Sequence, residues 1–215
     1  MNIFRILSAG DGRDCNQSVS SFLAYLLNPQ NDHGLGEELL RSIVADFCEC
    51  GDSGFMNLDK ELSTYEISVN IDLPIIVAKF IRDDRVKFVL CIENEVKDSS
   101  IDDLQTQMKL DDLEKEFIEE NQKILFCFLT LKPSRKSAEC FEKTRSKHPS
   151  SIHLFWIPSE HKYKSIYEKL QQILALSNEG CIDPITSEVR YLLTSFLNFI
   201  KKGFKGEEEL HCRKR

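Results

Sequence analysis

The chain has 215 residues, 41% of them hydrophobic and 29% charged, with a formal net charge of −7. That length and mixture suit one soluble globular domain with a substantial core, and no apolar run approaches the roughly 18–20 residues that a membrane-spanning helix needs. The acidic balance argues against a generally basic nucleic-acid coat. Eight scattered cysteines with no paired C-x-x-C argue against a structural zinc site.

The opening MNIFRILSAGDGRD has a short apolar patch but no basic leader or cleavage site, so it does not read as a signal peptide. In NQSVSSFLAYLLNP (16–29), Phe22, Leu23, Leu26 and Leu27 recur at helical spacing, with Asn16 or Ser18 as N-cap and Pro29 as stop. LGEELLRSIVADFCEC (35–50) is a second helix, with Leu39, Leu40, Ile43, Val44 and Phe47 on its apolar stripe. Beyond GDSG the period changes. ELSTYEISVNID (61–72), LPIIVAKFI (73–81) and VKFVLCIE (86–93) are rich in strand formers, and the charged turn RDDR (82–85) joins the last two as a hairpin.

Residues 99–120 read as a helix capped by Ser99 or Ser100, with Ile101, Leu104, Met108 and Leu110 near one face. KILFCFLTL (123–131) has almost no polar content, which is the pattern of a central strand covered on both faces. A basic helical connector (132–148), a strand (SIHLFWIP, 151–158, with Trp156 in the core) and helices over 161–176 and 185–202 complete the chain. The order predicts an α/β fold, a mixed β-sheet flanked by helices on both faces, in one domain over 1–203 with a frayed tail at 204–215. Cys91 and Cys127 sit inside apolar strands, where cysteine acts as a small hydrophobe, and the cysteine usage fits a reducing cytoplasm.

Charge is placed unevenly. Residues 98–120 carry nine acids against Lys109 and Lys115, which is the whole acidic excess of the chain. Residues 132–148 carry Lys132, Arg135, Lys136, Lys143, Arg145 and Lys147 against two acids, so this stretch is either a solvated helix face or a phosphate-contact surface.

The strand KFVLCI runs directly into ENEVKD, four charges in six positions. Side chains alternate along a strand, so Glu93, Glu95 and Lys97 share a face if the strand continues that far. Asp72 interrupts the apolar NIDLPII, and a paired hairpin brings it towards Glu93. Carboxylates with open positions make a hard oxygen site for Mg²⁺ or Mn²⁺, and a lysine beside them suits metal-assisted phosphodiester hydrolysis.

With these pieces in order, the sequence resembles the PD-(D/E)XK nuclease superfamily, in particular a bacterial branch with an "LLdP…HGxG" turn, an "xIDI" strand and an "IENK" strand end. The matching segments here are FLAYLLNPQNDHGLGEELL (22–40), NIDLPI (70–75) and IENE (92–95), followed by Gln105 or Gln107. The resemblance implies a restriction-endonuclease-like fold and a Mg²⁺- or Mn²⁺-dependent endo- or exonuclease acting on nucleic acid, DNA before RNA. Asp72, Glu93, Glu95 and the main chain of Asn94 would hold metal. Glu95 or Lys97 would complete the catalytic set, and a glutamine, Gln105 foremost, would reach water or phosphate.

Two departures keep alternatives open. Position 95, where the family has lysine, is glutamate, so the motif is either Glu93-Asn94-Glu95 or the slipped Glu95-Val96-Lys97; a two-residue slip leaves every facing unchanged. Relatives often carry glutamate after the position of Asn16, where this chain has Gln17. The second reading is therefore a weakened or inactive scaffold that binds nucleic acid or a protein. His33 in NDHG reads as a turn residue, a homodimer is compatible with double-strand cleavage, and no cysteine has a histidine partner in sequence for thiol catalysis.

Overall fold

The computed structural model describes residues 15–50, 57–72, 75–97, 101, 111–113, 115–116 and 122–205, and for Cys15 and Asp72 the backbone only. The expected cap at Ser99 or Ser100, Gln105, Gln107 and the tail beyond 205 lie outside the described residues. Four of the five described strands start within two residues of the expected positions. The sheet runs β1 (Glu66–Asp72), β2 (Ile75–Arg82), β3 (Arg85–Glu95), β4 (Lys123–Thr130) and β5 (Ser151–Phe155), in that spatial order. The first three strands pair antiparallel and the last three parallel, which makes the sheet mixed as expected.

Between β2 and β3, Asp83 and Asp84 both adopt φ of 56°. Two left-handed residues closing the Arg82–Arg85 pair give a two-residue hairpin whose twist matches the strands. Alternation then sorts the core. Leu90 and Ile92 of β3, with Leu125, Cys127 and Leu129 of β4, join the larger cluster under helices α1 (Cys15–Leu27), α2 (Glu38–Cys48), α5 (Ile166–Asn178) and α6 (Ser187–Lys201). Val89 and Cys91, with Phe126 and Phe128, join a smaller cluster with Ile101, Leu113 and helix α4 (Arg135–Lys147) on the opposite face. β4 is thus covered on both sides, which is why it carries no alternation of polar residues. No described helix is long and apolar enough to cross a membrane.

Three boundaries differ from expectation, each for a local reason. The segment from 61 does not begin as a strand: α3 (Leu58–Glu61) and a 3₁₀ turn (Leu62–Thr64) precede β1. Leu58 and Leu62, four apart, are both buried, and that spacing is helical rather than extended. The helix expected from 161 starts at Ile166, because Ser165 and Glu168 form a reciprocal capping box that fixes its first turn. Helix α1 already includes Cys15, so Asn16 and Ser18 lie within it rather than capping it.

One buried ion pair ties the helices of the larger layer together. Lys169 of α5 meets Asp46 of α2 at 2.9 Å and donates to the Ser42 carbonyl at 2.7 Å. Burial pushes the Asp46 carboxyl up to about 6, with Lys169 pulling the other way. Between about pH 4 and 6 the folded chain therefore holds a proton that the unfolded chain releases, so this group lowers stability as pH rises through that window. Asp46→Asn should remove that contribution. Urea unfolding from pH 4 to 6.5 should show the stability of the variant, relative to the parent, rising with pH; a constant difference would contradict it.

Candidate functional site

The C-terminal end of β3 is built from two faces of one strand. Asn94 follows Leu90 and Ile92 into the larger core and is only 1% exposed. Its side-chain amide donates to Ser20 Oγ of α1 at 3.0 Å, and its carbonyl oxygen accepts from Trp156 Nε1 at 2.8 Å. A carboxamide suits this position because it offers a donor and an acceptor in fixed geometry. Trp156 is buried as expected, but its indole N–H serves a partner that periodicity alone does not reveal.

Glu93 and Glu95 fall on the opposite face, in alternation with Val89 and Cys91. Glu93 is 1% exposed and Glu95 8%. Asn16, in the first described turn of α1, donates through Nδ2 to Glu95 Oε2 at 3.0 Å and accepts from the Val96 N–H at 3.3 Å. One asparagine therefore fixes both the acid and the end of the strand that bears it. Asn16 is the residue sequence reasoning misplaced, since a cap and a long-range anchor look alike in one chain.

The register places Asp72 opposite Ile75, and Ile75 opposite Glu93. With neighbouring strands about 4.8 Å apart, the Cα atoms of Asp72 and Glu93 lie about 10 Å apart in one row. The strand ends at Glu95; residues 96 and 97 bend, and Lys97 is exposed. The condition on which Lys97 would share the face of Glu93 and Glu95 is not met.

The donors at this end are oxygens, the chemistry a hard divalent cation takes. No group of three His, Cys, Asp or Glu side chains among the described residues is placed to hold a metal, so a complete carboxylate set here needs Asp72. The side chain of Asn94 is committed to Ser20 and Trp156, which leaves only its main chain for that purpose.

The basic stretch divides. Glu95 pairs with Thr130, two residues before Lys132, and β3 and β4 are parallel. Lys132 and the α4 start at Arg135 and Lys136 therefore stand at the Glu95 end of the sheet. Helix α4 runs back for 13 residues, about 20 Å, carrying Lys143, Arg145 and Lys147 away from it. All six are exposed, and Arg135 is paired to Glu139 at 2.7 Å.

His33 is fully buried in its turn, where Nδ1 accepts from the Leu35 N–H at 3.0 Å and Nε2 donates to the Asn28 carbonyl at 2.9 Å. Desolvation lowers its pKa, and its role is to lock the turn, with Gly34 and Gly36 at positive φ beside it. Cys91 and Cys127 are buried, and burial pushes the Cys91 thiol up to about 12 and that of Cys127 higher still. Neither is poised as a nucleophile.

The Asn94 bridge carries a stability prediction. Asn94→Ala strands a buried indole N–H and a buried hydroxyl, and should cost about 2–4 kcal/mol in chemical denaturation. A loss below about 1 kcal/mol would show that the bridge is dispensable.

Searches of curated proteins and of solved structures each found no match. A family model described as the PD-(D/E)XK nuclease superfamily matches residues 1–198. With that span, the mixed sheet and the helices on both faces, the chain belongs to the PD-(D/E)XK nuclease superfamily and has its restriction-endonuclease-like α/β fold.

Proposed function

We propose that the protein is a metal-dependent nuclease that hydrolyses phosphodiester bonds, with Asp72, Glu93 and Glu95 as its acidic set. The observation that carries this reading is the placement of Glu93 and Glu95 on one strand face, nearly buried, in register with Asp72 across β2. Burying two carboxylates side by side opposes stability unless a cation or strong hydrogen bonds compensate. Family membership supports nuclease chemistry and divalent-metal use in general terms.

Glu93 and Asp72 would hold Mg²⁺ or Mn²⁺, with the Asn94 carbonyl a further ligand. A bound ion of this kind supplies Lewis acidity and lowers the pKa of a coordinated water. Glu95 is held in place by Asn16 and would add a ligand or accept a proton from the attacking water. Lys132, Arg135 and Lys136 are the basic residues at that end of the sheet suited to the substrate backbone; Lys143, Arg145 and Lys147 would follow the chain further along α4. Gln105 remains the proposed contact to water or phosphate. DNA is the substrate proposed first, with Lys97 outside the catalytic set.

The second reading, a scaffold that binds without cleaving, is favoured by one observation. Position 95 carries a carboxylate where the family motif has lysine, and Asn16 engages one of its oxygens.

Cleavage of plasmid, linear duplex and single-stranded substrates in Mg²⁺ or Mn²⁺ tests the first reading. Asp72→Ala and Glu93→Ala should each reduce cleavage by about 100-fold or more, and full activity in both would overturn it. Calorimetric titration with Mn²⁺ separates the readings, because an inert scaffold shows no stoichiometric binding that is lost with Asp72. Arg135→Ala and Lys136→Ala should lower the salt dependence of DNA binding by about one unit of slope each.

A further inference from the structure

Two strands from Glu93, on the same side of the sheet, lies a cavity of about 390 Å³, within the usual range for small-molecule sites. Its floor is the edge strand β5, its wall is α4, and the segment His161–Tyr163 closes one side. The register Glu93–Phe128–His153 places His153 in the row of the acidic site, about 10 Å from Glu93 between Cα atoms.

The lining is unusual in its rings. The His153 ring lies 4.4 Å from that of Phe155 and 5.1 Å from that of Phe141, and the His161 ring stands edge-on to Phe155 at 4.7 Å. His153 is 6% exposed, and its Nε2 shares a hydrogen bond of 2.9 Å with the Thr130 hydroxyl. Its Nδ1 makes no hydrogen bond to the described residues and belongs to a side chain that lines the cavity. Burial drives the pKa of this imidazole down to about 3, so it is neutral and offers its edge as a hydrogen-bonding group, not a charge.

The rim has the opposite character. Arg145 is exposed and has no acidic partner among the described residues, and Lys162, which also lines the cavity, has its ammonium on the Tyr163 hydroxyl at 3.1 Å. Glu142 is the single acid of the lining among the described residues. Flat rings, one buried polar edge and two cations suit a ligand that is aromatic, polar at its edge and anionic at one end. A purely apolar ligand would leave the His153 edge unanswered, and a bare anion would leave the rings unused.

We propose that this cavity binds a nucleotide, its base against the exposed His161 ring with a polar edge towards His153, and its phosphate at Arg145 and Lys162. Base stacking on aromatic side chains is sequence-tolerant, and guanidinium suits phosphate. The nucleotide comes either free or as part of a strand. As part of a strand the proposal rests on the nuclease reading, the base belonging to a nucleotide further along the chain from the scissile phosphate; as a free nucleotide it does not.

The test uses the full chain carrying Glu93→Gln, so that substrate is not consumed. Nucleoside 5′-monophosphates, inorganic phosphate and short single-stranded oligonucleotides are titrated by calorimetry and saturation-transfer NMR. The monophosphates should bind, with transfer to the base protons, and phosphate alone should not match them. Arg145→Ala and His161→Ala, both at exposed positions, should each weaken binding roughly tenfold, the loss of about one strong contact. Ala138→Trp should fill the cavity and abolish binding with an unchanged unfolding midpoint. An oligonucleotide that displaces the monophosphate supports a strand as the source, and displacement failure with retained monophosphate binding supports the free nucleotide. No binding of either, equal binding of phosphate alone, or affinity unchanged in all three variants would overturn the proposal. Cleavage by the parent chain is scored separately, so loss of the nuclease reading removes only the strand form of the proposal, and failure of monophosphate binding leaves the cleavage result intact.

Discussion

The end of β3 depends on Asn94, whose buried carboxamide holds Ser20 on one side and Trp156 on the other. That single side chain connects helix α1, strand β3 and the residue that follows β5. Each partner is buried and polar, so the arrangement is favourable only when all three are in place. Because Asn94 stands between Glu93 and Glu95, fixing its backbone fixes theirs. The larger core on one face thereby sets the position of the acids on the other.

The cost appears on that second face. Glu93 and Glu95 occupy positions where Val89 and Cys91 continue an apolar row, and a sequence selected for stability alone would place hydrophobes there. Asn16 offsets part of the cost at Glu95 and bonds the Val96 N–H as the strand ends. Local conflict with the burial pattern is expected where function outweighs packing. The contrast with Asp46 is instructive: that acid is buried against a lysine and a helix, far in sequence from the motif, and joins two helices.

Much of this was legible in the chain. The apolar β4, the Asp83–Asp84 turn, the central hairpin and the helices on both faces follow from periodicity and turn chemistry, which are local. Asp72 and Glu93 fall into one row because only two positions separate β1 from β2, which leaves little freedom of register. What was not legible is long-range. Nothing at Asn16 announces a partner 79 positions away, and no pattern predicts that an indole closes over Asn94. The end of β3 was also hidden, since alternation runs through Lys97 on paper and the strand stops at Glu95 in space. The division of the basic stretch between two ends of α4 required the parallel pairing of β3 with β4.

The most direct measurement is an anomalous-scattering map of crystals of the full chain soaked in Mn²⁺. The account predicts a peak at the end of β3 in contact with the carboxylates of Glu93 and Asp72. A map with no peak there, or with Mn²⁺ bound only at residues away from Glu93, would contradict it.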